Sequence, residues 1–95
     1  MYNCCMKIEW DPDKSVINNA KHGIDFVSAQ SLWVDENRIE IHASYPVEDR
    51  WILIAKCADK VWAAVYTVRS DTIRIISVRR ARKREVDLYE KEDAG

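Results

Sequence analysis

Residues 37–79 carry four apolar or alternating segments in succession, separated only by short polar breaks. Consecutive strands joined by tight turns pair antiparallel with their neighbours, so few folds remain open to the chain. Asn37 to Ser44 alternates, with Ile39 and Ile41 on one face and Arg38, Glu40 and His42 on the other. Tyr45-Pro46-Val47-Glu48-Asp49 is an acidic, turn-like interruption. Trp51 to Cys57 is apolar apart from Lys56, and Ala58-Asp59-Lys60 reads as a hairpin loop. Val61 to Val68 is apolar on both faces, as a central strand requires. Ser70-Asp71 turns the chain into a last strand, Thr72 to Arg79.

Helical signals flank this meander. Met6 to Trp10 alternates as a short first strand. Asp11 then stands as an N-cap with Pro12 at the first helical position. Val16, Ile17 and Ala20 follow at helical spacing, Lys21 and His22 fill the last turn, and Gly23 fits a left-handed terminator. Asp25 is a second N-cap, opening a short helix through Phe26, Val27, Ala29, Gln30 and Trp33 to Val34. From Arg80 a final helix is expected, with Ala81, Glu85, Leu88 and Tyr89 along one side and a fraying acidic tail from Glu90. The order β-α-α-β-β-β-β-α is an α+β layout, an antiparallel sheet packed against helices. Residues 1–95 make one domain, with 1–6 and 91–95 as flexible ends.

With 47% apolar residues and four Trp the chain can fill one core, and 33% charged residues solvate its surface. No apolar run reaches the length of a membrane span. The first six residues lack the layout of a signal peptide. Of the three cysteines, Cys4 and Cys5 are adjacent and Cys57 sits in a strand, with no CxxC or Cys/His metal spacing. Reduced thiols in a cytoplasmic protein are the expectation.

Charge is distributed unevenly. Net charge is −1, yet Arg69 to Glu85 holds seven Lys/Arg against two Asp/Glu. Such segregation points to phosphate or to an acidic protein partner. Arg79 and Arg80, at the end of the last strand, point to opposite faces. Simple alternation puts Arg74 with Ile76 and Val78, and Arg79 with Ile73 and Ile75. A guanidinium among apolar neighbours needs a partner or a purpose, and its fork matches phosphate oxygens. Arg82, Lys83 and Arg84 fit either a solvated helix face with local ion pairs or a contact to RNA. Lys21 and His22 offset the negative end of a helix dipole, or hold a phosphate and exchange a proton. His42, alone on a strand, reads as a surface residue. Arg50 and Arg69 either pair with Glu48, Asp49 or Asp71 or line a groove. Most aromatic residues are expected in the core, with Trp10, Tyr66 and Tyr89 the candidates for stacking a nucleotide.

The sequence has no phosphate-cradling Gly-rich loop, no serine elbow and no carboxylate pair at metal-binding spacing. No cofactor and no metal are expected. Phosphodiester cleavage without metal uses the substrate's own 2′-hydroxyl as nucleophile, which selects RNA over DNA. A binding module that holds nucleic acid or an acidic protein without cutting it fits the same cations.

Several motifs recur together: Ile8-Glu9-Trp10-Asp11-Pro12 with Lys14; Asn18 or Asn19 with Lys21-His22-Gly23-Ile24; Asp25-Phe26 with Ala29; Glu48-Asp49-Arg50-Trp51; Val65-Tyr66-Thr67 with Arg69; and Ile73 through Ala81, then Glu85 and Tyr89. In this order they resemble the BrnT family of bacterial type II toxin–antitoxin toxins, from about Lys7 to Tyr89. The resemblance implies a RelE-like fold and a metal-independent ribonuclease that arrests translation. It implies a cognate ribbon-helix-helix antitoxin, with two toxins joined by an antitoxin dimer that binds operator DNA. It directs attention to Lys21, Arg50, Arg69, Arg79 and Arg80, with His22 beside them. Cys57-Ala58-Asp59-Lys60 departs from the family, whose members often carry Gly near this hairpin.

Overall fold

The computed structural model describes residues 7–44, 46 and 48–94. Cys4, Cys5, the expected strand start at Met6, and Tyr45 and Val47 of the acidic turn lie outside the described residues. The elements are β1 (Lys7–Glu9), α1 (Pro12–His22), α2 (Phe26–Ala29), a 3-10 turn (Gln30–Val34), β2 (Ile39–Ala43), β3 (Arg50–Cys57), β4 (Lys60–Arg69), β5 (Thr72–Arg80) and α3 (Lys83–Ala94). No helix among the described residues is long and apolar enough to cross a membrane.

The fold is α+β, built on one five-stranded sheet of order β1-β5-β4-β3-β2. The sheet is mixed, not antiparallel as expected, because β1 runs parallel to β5. Hairpins dictate direction only between strands they join, and no hairpin joins β1 to β5. The final helix also differs from expectation. β5 continues through Arg80, and α3 starts at Lys83 and extends to Ala94. Glu85 causes the delay: its Oε1 accepts the Arg82 N–H at 2.8 Å, capping the helix there.

The other local signals act as written. Asp11 caps α1 through the Asp13 N–H at 2.9 Å, and Gly23 ends it at φ 81°. Asp25 accepts the Ser28 N–H at 2.7 Å, which holds its carboxyl below the usual range. Both tight hairpins place non-glycine residues in the left-handed region, Ala58 and Asp59 at φ 52° and 66°, Ser70 and Asp71 at φ 47° and 67°. Positive φ at both central residues gives the twist that two-residue hairpins need.

One face of the sheet carries the main core. Leu53, Ala55, Trp62, Ala64, Tyr66, Ile73, Ile75 and Val78 meet Ile24, Phe26, Ala29, Leu32 and Trp33. Tyr66 and Tyr89 are buried, so neither offers a ring to a base, contrary to the expectation from sequence. Tyr66 stands edge-on to Trp33 with ring centroids 5.4 Å apart.

Helix α1 packs inside out. Its buried residues are Ser15 and Asn18, while Val16 and Ile17 are 70% and 61% exposed. Ser15 Oγ accepts the Phe26 N–H at 2.9 Å. Asn18 Nδ2 donates to the carbonyls of Ile24 and Val78 at 2.8 and 2.9 Å, and its Oδ1 accepts the Val78 N–H at 3.1 Å. β1 pairs with β5 only as far as Arg74. Beyond it, the Asn18 amide supplies Val78 with the donor and acceptor that a neighbouring strand would give.

Candidate nucleic-acid interface

A bulge in β5 decides which guanidiniums share a face. Val65 is opposite Ser77 but Tyr66 is opposite Ile75, so Ile76 is an extra residue. An extra residue reverses the alternation beyond it. Ile73, Ile75, Val78 and Arg80 therefore lie on the core side, and Arg74, Ser77 and Arg79 on the other. This corrects the pairing of faces that strict alternation predicts, which had separated Arg74 from Arg79.

The second face is laid out in rows about 7 Å apart along the strands. The first row, Ile39, Ile54, Ala63 and Arg79, lies under α3. α3 is pinned there at two points, in its first turn and at its middle. Arg79 forms a two-pronged ion pair with Glu85, at 2.8 and 2.9 Å. The Tyr89 hydroxyl donates to Asp35 Oδ2 at 2.6 Å, and the same oxygen accepts the Lys56 N–H at 2.8 Å. The second row is Ile41, Ile52, Val65 and Ser77, all half-buried. In the third row Ala43 is opposite Arg50, and Thr67 and Glu9 flank Arg74. Arg50 and Thr67 are the residues next to the Trp51–Tyr66 pair. The last row joins Arg69, Thr72 and Lys7. The result is a trough with an apolar floor, walled by α3 on one side and by cations on the other.

Arg50, Arg69, Arg74 and Arg79 thus share one face. They are not bare cations, and for Arg69 the acidic partner is one that the sequence offered. Arg69 meets Glu48 at 2.7 Å, Arg74 meets Glu9 at 3.0 Å, and Arg79 is held by Glu85. Glu9 and Glu48 are distant in sequence from their partners and meet them through strand pairing, while Glu85 lies six residues from Arg79. The Arg79–Glu85 pair is the most sheltered of these. Glu85 is pushed below the usual carboxylate range, first by the Arg79 hydrogen bonds, against the cost of burial, and Arg79 is pushed up in turn. The Arg69 and Arg74 pairs are more exposed, with side chains 67% and 41% accessible. Solvent screens such pairs, and a phosphate can compete for the guanidinium.

The remaining candidates stand elsewhere. Lys21 is exposed and His22 half-buried at the end of α1, which Asn18 ties to Val78 near the end of β5. Arg80 lies over the Trp62 ring, 5.5 Å from its centroid. Trp62, Lys60, Asn19 and Gly23 line one cavity of about 360 Å³, so the Lys21-His22-Gly23 turn and Arg80 reach the same end of the molecule. Arg82, Lys83 and Arg84 are exposed at the start of α3.

His42 has more structure around it than its sequence context suggested. Its Nε2 lies 3.0 Å from Asp49 Oδ2, and its ring rests 4.8 Å from that of Trp51. The only sequence signal was Asp49 in the acidic turn, and it took the antiparallel pairing of β2 with β3 to bring the two together. Asp35 is the other residue missed. Burial raises its pKa, but the Tyr89 hydroxyl, the N–H groups of Lys56 and Asn37, and Arg38 outweigh that and hold it below the usual range.

A comparison with curated proteins finds no match. A family model described as "Ribonuclease toxin, BrnT, of type II toxin-antitoxin system" matches residues 10–85. That span contains α1 with its Lys-His-Gly turn, strands β2 to β5 with the bulge, and Glu85. The match covers most of the chain, and this protein belongs to the BrnT family of ribonuclease toxins of type II toxin–antitoxin systems.

Proposed function

We propose that this protein is a metal-independent endoribonuclease of RelE-like type, acting in the cytoplasm to arrest translation, and that single-stranded RNA lies in the trough beside α3. The observation that carries this reading is the placement of Arg50, Arg69, Arg74 and Arg79 on one sheet face around an apolar floor. Bases rest on Ile41, Ile52 and Val65, and phosphates meet Arg50 and Arg74 across β4. The 2′-hydroxyl attacks the adjacent phosphorus and the 5′-oxygen leaves, giving a 2′,3′-cyclic phosphate and a 5′-hydroxyl. Where the RNA leaves the trough and passes round the end of β5, His22 accepts the 2′-hydroxyl proton, Lys21 and Arg80 on the other face hold the phosphate, and water protonates the leaving 5′-oxygen. Arg82, Lys83 and Arg84 extend the cationic track along the start of α3. A preorganised donor to the developing charge is worth about 3 kcal/mol, roughly a hundredfold in rate. Arg79 serves chiefly to fix α3, because both of its prongs engage Glu85.

The partner in this reading is a ribbon-helix-helix antitoxin, whose dimer joins two toxins and carries the complex to operator DNA. The test is cleavage of labelled RNA by the purified protein. Cleavage is expected to persist in chelator, to fall at least tenfold in Arg50→Ala and Arg74→Ala, and to stop when the scissile ribose is 2′-deoxy. RNA retained intact by the wild-type protein would identify a binding module instead, and cleavage of the 2′-deoxy strand would refute the mechanism.

A further inference from the structure

Helix α1 spends its polar residues on the fold and turns its apolar ones to solvent. Ser15 and Asn18 face inward and bond Phe26, Ile24 and Val78. Val16 and Ile17 are 70% and 61% exposed, and Ala20 is exposed between them on the next turn. At 100° per residue the three fall within an arc of about 100°, the width by which a helix normally faces a core. A single exposed Val or Ile needs no explanation, but an apolar stripe opposite a hydrogen-bonded polar face does. The Ile17 side of this stripe is bordered by Lys14 and Lys21, exposed and seven residues apart, two helical turns. Asp13 stands at the stripe's first turn.

We propose that this face is the docking surface for an acidic amphipathic helix of the antitoxin, a partner that the toxin–antitoxin reading above supplies. Apolar residues of that helix, spaced three and four apart, pack on Val16, Ile17 and Ala20. Its carboxylates, two turns apart, meet Lys14 and Lys21. A second copy of this chain fits less well. Antiparallel pairing of two α1 stripes sets lysine flank against lysine flank. Parallel pairing sets the lysines against Asn19 and brings the two Asp13 side chains together. Antiparallel pairing brings Asp13 of one copy near Lys21 of the other but leaves Lys14 facing lysine, and parallel pairing gives neither lysine an acid, whereas the amphipathic partner supplies both. Occupation of Lys21 by such a helix also places the antitoxin on the turn that holds His22, coupling docking to inhibition.

The probe is the ribbon-helix-helix antitoxin of the reading above, purified and titrated calorimetrically into the toxin. Ile17→Asp puts a charge within the stripe, beside its lysine border, and is expected to weaken binding about a hundredfold. Lys14→Glu is expected to weaken it about tenfold, an effect that shrinks at high salt. Lys7→Glu, on the far face of the sheet, leaves binding unchanged. Ile17 is exposed, so Ile17→Asp keeps the wild-type melting temperature and RNA cleavage, and cleavage by this variant resists added antitoxin. Equal affinity of Ile17→Asp and wild type would overturn the proposal. A wild-type toxin that sediments as a dimer, and becomes monomeric with Ile17→Asp, would overturn it in favour of a second copy. Failure of wild type to bind the antitoxin at all would refute the partner reading itself, and the docking surface with it.

Discussion

Asn18 holds α1 to the sheet, and its replacement by Ala should cost more than any surface change. Three hydrogen bonds disappear, and the Val78 N–H, the Val78 carbonyl and the Ile24 carbonyl lose their side-chain partner at a site where Asn18 is 6% exposed. An unsatisfied buried polar group costs about 1–3 kcal/mol, so three of them, with some relaxation, come to about 4 kcal/mol. A domain of this size has about 5–15 kcal/mol of total stability. At roughly 4–8 °C per kcal/mol, Asn18→Ala should melt some 15–30 °C below wild type. Urea and thermal unfolding followed by circular dichroism measure this directly. Asn18→Asp separates hydrogen bonding from volume, because its carboxylate keeps the bond from Val78 N–H but faces two carbonyls with no donor. It should be at least as damaging as Asn18→Ala near neutral pH and recover in part on acidification, when a protonated carboxyl donates again. A loss below about 1 kcal/mol for Asn18→Ala would refute the view that this amide substitutes for a strand.

Other outcomes follow from the same geometry. Glu85 and Asp35 titrate below their unfolded values, so their stabilisation is complete above the ordinary carboxylate range and is lost as pH falls through the folded values. Acid unfolding of Glu85→Gln should therefore show a shallower pH dependence below about pH 4 than wild type, with lower stability at pH 7. Arg79→Ala should destabilise the fold by about 2 kcal/mol, since it strands a sheltered Glu85, and Arg79→Ala/Glu85→Gln should cost less than the sum of the two single changes. Arg74→Ala should leave the melting temperature within a few degrees of wild type, because its pair with Glu9 is exposed, and lower RNA affinity with a reduced salt slope in a filter-binding assay. Ala58→Asn/Asp59→Gly, at two positive-φ positions, should raise stability by about 1 kcal/mol, read from the urea midpoint.

The elements that depend on neighbours along the chain could be read directly from residues. Asp11, Pro12 and Gly23 bound α1, Asp25 opens α2, and the alternating and apolar segments with short polar breaks become β2 to β5. Candidate cations were likewise legible as a cluster. Their arrangement was not. One extra residue at Ile76 moved Arg74 and Arg79 to a common face, and no local signal distinguishes it from regular alternation. Glu9 gained Arg74 through the parallel pairing of β1 with β5, which nothing local marks, whereas the acidic turn had already offered Glu48 to Arg69. The apolar stripe of α1 carried the correct period and the wrong face, since Asn18 and Ser15 find partners only once β5 and α2 are in place. Caps, turns and alternation are energies between residues a few positions apart, and these the chain determines alone. Register, the parity of a face and the pairing of a charge are energies between strands brought together by folding, and only the tertiary structure decides them.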